Sequence, residues 1–109
     1  MCEASVVALE FITALRAIVA EIARRDPDLA SQLRRAASSA ALNTAEAWRR
    51  EGRDRAMRFR IAAGECDEAV TAVRIAQRWG YVADDAAAPA LALADRLAAM
   101  LFRLRNPRR

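Results

Sequence analysis

Apolar residues recur every three or four positions along most of this chain, the repeat of an α-helix, and nowhere alternate in the two-residue period of a strand. Val7, Phe11, Leu15, Ile18 and Ile22, spaced four, four, three and four, predict a first helix from about Ala4 to Arg25. Asp26-Pro27 ends it and opens the second, because aspartate caps a helix N-terminus and proline suits the first helical position. That second helix is expected over residues 27–51, where Gly52 breaks the chain. Asp54 is the expected cap of a third helix over 54–79, with Gly80 as its C-terminal glycine. The fourth begins between Asp84 and Pro89, with Pro89 in its first turn, and is taken as 86–105. Connections this short join antiparallel neighbours, so the expectation is all-α: one domain over residues 1–109, an up-and-down antiparallel four-helix bundle.

The third segment is apolar around more than half its circumference. At about 100° per residue, Met57, Ile61, Ala72, Ile75, Ala76 and Trp79 fall on one stripe. Glu68 lies among them and Glu65 on their flank. A second stripe holds Phe59, Ala63, Cys66, Val70 and Val73, leaving a narrow water-suited band of Arg60, Asp67, Thr71, Arg74 and Arg78. A bundle helix needs one apolar face, so a helix with two points to self-association. The second segment is built differently. Leu29, Leu33, Ala36, Ala40, Thr44 and Ala47 share its inner face, and such small residues let a neighbouring helix approach closely. Ser39, Asn43, Glu46 and Arg50 run along one flank as a polar line, while Arg35, Ser38, Leu42 and Arg49 face outward. A buried carboxylate without a donor is costly. Asn43 and Arg50 are therefore the expected donors to the glutamates of the third helix, and Asn43, Glu46, Glu65 and Glu68 are read as a structural polar set that also serves the oligomer.

Charge refines this picture. All 18 basic residues are arginine and about a quarter of the chain is alanine. Biased codon usage accounts for both, and arginine's planar fork also suits phosphate and base stacking. Location discriminates better than type: residues 1–33 carry a net −2, residues 34–60 a net +5 and residues 61–109 a net +1. The excess resides in Arg34, Arg35, Arg49, Arg50, Arg53, Arg55, Arg58 and Arg60, with Trp48 read by helical phase as facing the interior. These eight are the candidate contacts to an RNA or DNA backbone, without base-specific readout. The competing account is that they pair with Glu46, Glu51 and Asp54 and keep an alanine-rich oligomer in solution.

Catalysis finds no support. The chain has no histidine, the usual general acid or base at neutral pH. Glu65 and Glu68 form a single Glu-x-x-Glu rather than paired Glu-x-x-His motifs, so no di-iron site is expected. Three scattered glycines cannot cradle a phosphate. Cys2 and Cys66 form no metal-binding spacing, and Cys66 reads as a small core residue. The expectation is a non-enzymatic protein with no cofactor and no metal. No secretory signal or membrane-length apolar run is visible, so a cytoplasmic location follows by default.

The run from Leu33 through Asn43 to Glu46, the stretch from Phe59 through Ile61, Gly64 and Glu65 to Glu68, and the closing Trp79-Gly80-Tyr81 resemble a bacterial family. These are the four-helix-bundle proteins first noted as reading frames within 23S ribosomal RNA intervening sequences. The chain more distantly resembles the accessory variability determinants of diversity-generating retroelements. The resemblance covers about half the chain. Two positions depart from it: Ala47 stands where the family usually has glycine, and Glu65 where it usually has serine. The resemblance implies a ring-like homopentamer, non-enzymatic, with nucleic-acid binding by basic members. An oligomeric scaffold that binds another protein is the alternative.

Overall fold

The computed structural model describes residues 1–106. Four helices occupy them: α1 (Glu3–Ala23), α2 (Pro27–Trp48), α3 (Gly52–Trp79) and α4 (Asp84–Arg105). Each packs against its neighbours in the order α1–α2–α3–α4–α1, with the α2–α3 pair the most extensive, so the chain runs up and down around one core. The result is an all-α four-helix bundle about 45 Å long and roughly 22 Å across. No strand occurs among the described residues.

Local chemistry explains the helix ends. Asp26 accepts a hydrogen bond from the Leu29 amide through Oδ1 at 3.0 Å, with Pro27 at the first helical position. α3 closes on Gly80, left-handed at φ 80°. The Tyr81 amide donates to the Ala76 carbonyl at 2.8 Å and the Gly80 amide to the Gln77 carbonyl at 3.0 Å. These are the paired bonds of a Schellman motif. Three expectations require correction. α2 stops at Trp48 rather than near Glu51, and α3 starts at Gly52 rather than Asp54. Gly52, at φ 61°, helps the chain to reverse in a short link, so Asp54 lies inside the first turn and caps nothing. Pro89 lies in the second turn of α4, where its ring removes the bond that the Asp85 carbonyl would have received.

The core is thin. Phe11, Ile22, Leu33, Phe59, Leu97 and Leu101 are its largest fully buried side chains, and half of all buried apolar residues are alanine. The predicted inner face of α2 is buried from Leu29 to Ala47. Thr44 belongs to it because its hydroxyl donates to the Ala40 carbonyl at 2.7 Å. A buried hydroxyl with a partner avoids the desolvation cost of an unmade hydrogen bond. On α3, the stripe of Phe59, Ala63, Cys66 and Val73 faces this core, with Val70 at its edge.

Cys66 is wholly buried, with its thiol directed at the Ala94 carbonyl, 3.7 Å away. Burial, reinforced by Asp67, pushes that thiol up to about 11. A thiol raised in the folded state favours folding below its unfolded value of roughly 8.5, and that contribution is lost as pH rises through the folded value. The bundle should therefore lose stability between about pH 8.5 and about pH 11. Cys66 should also resist maleimide labelling at neutral pH until the chain is unfolded. Mass spectrometry of labelled peptides checks this; equal labelling of native and urea-unfolded protein would place Cys66 at the surface.

Candidate nucleic-acid interface

The short segment from Arg49 to Glu51 links α2 to α3, and the reversal at Gly52 stacks the end of one helix beside the start of the next. Side chains spaced four apart across this turn form a ladder of alternating charge. Arg50 Nη2 donates to Glu46 Oε1 at 3.0 Å and Arg50 Nη1 to Asp54 Oδ2 at 3.3 Å. Arg58 Nε lies 3.5 Å from Asp54 Oδ1, and Arg49 Nε lies 4.0 Å from Glu46 Oε2. The hydrogen bond and charge of Arg50 hold the Glu46 carboxyl below its usual range, and Glu46 raises Arg50 in return. Both groups are solvent-exposed, so the ladder orders the turn more than it stabilises the fold. Arg53 and Arg55 take no part in it: among the described residues neither forms an ion pair with a carboxylate. The Arg55 guanidinium lies 4.6 Å above the Trp48 ring and 5.6 Å from that of Phe59. Both distances fall in the range of a cation–π contact.

The eight arginines singled out from the sequence do not form one patch. Arg49, Arg50, Arg53, Arg55 and Arg58 gather at the turn, and Arg60 lies exposed further along α3. Arg34 and Arg35 sit roughly 20 Å away along α2, at about 1.5 Å of rise per residue. Arg34 lines the α1–α2 groove with Arg16, and Arg35 is exposed. Topology contributes two residues that sequence reasoning missed. An up-and-down bundle returns the end of α4 to the α2–α3 turn, which adds Arg103 and Arg105. Among the described residues within about two turns of this end, seven arginines stand against four carboxylates (Glu3, Glu46, Glu51 and Asp54). The opposite end, measured the same way among the described residues, has four arginines and five carboxylates. The bundle is thus polarised along its length. The up-and-down order of the helices, taken together with the basic C-terminal run, is the signal that could have revealed this.

Trp48 also departs from expectation. As the last residue of α2 it has no following turn to cover it, and it is 46% exposed rather than interior. Phe102, another exposed aromatic, has the Arg105 guanidinium 5.1 Å from its ring.

The polar set divides. Asn43 Nδ2 donates to Glu65 Oε1 at 2.7 Å across the α2–α3 contact, joining the half-buried pair. Glu46 belongs to the ladder at the turn instead. Glu68 faces outward, because its phase lies almost opposite Cys66 on α3; within one chain it meets no buried donor. Around it the second apolar stripe of α3 is uncovered only in part: Met57, Ile61, Ile75 and Trp79 are exposed, as is Leu42 of α2 at 70%. Ala72 and Ala76, read from the sequence as members of that stripe, are instead buried, because their phase sets them on its edge nearest the core. Gly64 sits on this same face with open space where a Cβ would be. Nothing in a single chain offsets the ~1 kcal/mol that glycine costs inside a helix relative to alanine.

No group of three or more candidate ligands able to hold a metal ion occurs among the described residues. None of their helices is long and apolar enough to cross a membrane. A search of curated proteins finds no match to the chain. The family model of the 23S rRNA-intervening sequence protein matches residues 4–103, nearly the whole bundle, and the chain belongs to that family.

Proposed function

We propose that the protein is a non-enzymatic, self-associating bundle whose arginine-rich end binds the phosphate backbone of RNA or DNA. The observation that carries this reading is the concentration of charge at one end of the bundle, where Arg53, Arg55, Arg103 and Arg105 form no ion pair with a carboxylate among the described residues. A family named for ribosomal RNA intervening sequences agrees with a ligand of this kind. Self-association is supported by the uncovered stripe on α3 and by Gly64 within it, a residue whose cost a close-packed second copy would offset. Association would repeat the arginine-rich end once per copy and raise the effective affinity for a long polyanion.

The test is a fluorescence anisotropy titration of labelled RNA at low salt, about 50 mM, and again at about 200 mM. Affinity should fall steeply with salt, because each neutralised phosphate releases condensed counterions. Changing Arg49, Arg50 and Arg53 together to glutamine should weaken binding without altering sequence preference. The slope of log affinity against log salt should drop by roughly 2 to 3, about 0.7 to 0.9 for each phosphate no longer neutralised. An unchanged slope would remove the turn from the interface. The rival reading, an oligomeric scaffold for another protein, is favoured by the open α1–α2 groove, where Ile12, Leu15 and Val19 lie between Arg16 and Arg34. Absence of salt-sensitive binding to any nucleic acid, well above micromolar protein, would decide for the scaffold.

A further inference from the structure

We infer that Trp48 and the cleft beside it hold an unpaired base, so that the arginine-rich end prefers single-stranded nucleic acid to duplex. The inference rests on the backbone contact proposed above and adds the chemistry that selects the strand. Three observations meet here. The Trp48 ring is half exposed at the end of α2, where an interior position was expected. The Arg55 guanidinium lies 4.6 Å above that ring. Such a cation–π contact holds the indole in place while leaving it accessible. Trp48 also forms a wall of an open cleft of about 280 Å³ between the start of α1 and the last turns of α4. Met100 and Leu104 supply apolar lining and Arg103 stands within it.

A cleft of this size suits one nucleobase rather than a larger ligand, and its chemistry is that of a stacking site: an aromatic face, apolar side chains and guanidinium groups beside it. Glu3, the acidic group of the cleft, lies 3.9 Å from Arg96, a loose and exposed pairing that offsets a little of its opposition to a phosphate. A base in a duplex is paired and stacked on its neighbours and cannot enter; a single strand presents its bases without that cost. Stacking accepts any base, so the preference is for strandedness and not for sequence.

Trp79 lies exposed at the opposite end of α3, so Trp79→Phe leaves Trp48 as the sole tryptophan. Because Trp79 belongs to the uncovered stripe, light scattering checks that this variant keeps the assembly state of the unaltered protein before it is titrated. With that protein, a 15-nucleotide oligo(U) should quench the selectively excited tryptophan emission. A 15-base-pair RNA duplex should bind, as anisotropy reads, without quenching. Trp48→Ala should lower oligo(U) affinity about tenfold, leave duplex affinity unchanged and retain the helical circular dichroism. Trp48→Phe should restore most of the loss. Duplex binding with no oligo(U) quenching, or an equal loss on both ligands in Trp48→Ala, would overturn the stacking site and leave the backbone reading standing. Failure of both ligands to bind would overturn the two together.

Discussion

Replacing Ile61 and Ile75 together with aspartate is expected to leave the helices intact and to convert the protein into separate chains of 12.0 kDa. Ile61 and Ile75 lie on the outward stripe of α3 at 44% and 40% exposure and outside the buried core, so the substitutions cost the single bundle little. At the proposed contact between copies the balance is different. Each isoleucine, already more than half covered in the single chain, contributes about 1 kcal/mol when its remaining surface is withdrawn from water. Each aspartate put in its place would have to be desolvated without a partner, a further cost of several kcal/mol. At roughly 1.4 kcal/mol for each factor of ten, the dissociation constant should rise by about three orders of magnitude or more. Multi-angle light scattering, with circular dichroism as the control for folding, reads the result directly. A variant of unchanged mass would show that the copies meet elsewhere, and an unaltered protein already single in dilute solution would end the proposal of self-association.

Truncating Phe59 should produce the largest change in stability. Its ring is wholly buried and is among the bulkiest side chains in a core otherwise rich in alanine. Phenylalanine-to-alanine changes at such sites cost about 3 to 5 kcal/mol, the upper part applying where neighbours cannot collapse into the space. Helices that already meet on alanine have little further to move, so Phe59→Ala belongs in that upper part. Against a total of about 5 to 15 kcal/mol for a domain, the loss brings the bundle close to unfolding at ambient temperature. Urea denaturation at one fixed protein concentration measures it, since the proposed association would make apparent stability concentration-dependent. A loss below about 1 kcal/mol would mean that the site closes over the missing ring.

Much of this architecture is legible in the chain, and the reasons are particular. The spacing of Val7, Phe11, Leu15, Ile18 and Ile22 specifies a helix because each lands on one side of it, and all five are buried. Helical phase also separates the stripe of Phe59, Cys66 and Val73, which faces the core, from Met57, Ile61, Ile75 and Trp79, which face outward, but it misassigns Ala72 and Ala76, which lie at the boundary between the two and are buried. Phase fails where a helix ends. An interior Trp48 requires that α2 continue past it, and the turn into Gly52, with its positive φ, ends that continuity. Glu68 sits in an apolar stripe and so reads as needing a partner, but periodicity does not say which of two apolar stripes a single chain covers. The gathering of Arg103 and Arg105 beside the α2–α3 turn depends on the return of α4, a tertiary fact absent from any one segment. Arg34 and Arg35 show the reverse error: they are close to the cluster in composition and far from it along α2.

Half the buried apolar residues are alanine, and this bears on how the bundle responds to temperature. Each alanine hides only a methyl group, so unfolding exposes less hydrocarbon per residue than it would in a leucine-built bundle. Hydration of newly exposed hydrocarbon is what gives unfolding its large heat-capacity change and bends the free energy downward in both the cold and the heat. With less of it to hydrate, the stability curve of this protein should be comparatively flat and cooling should weaken it little, which calorimetric unfolding would read as a small heat-capacity change for a chain of this length.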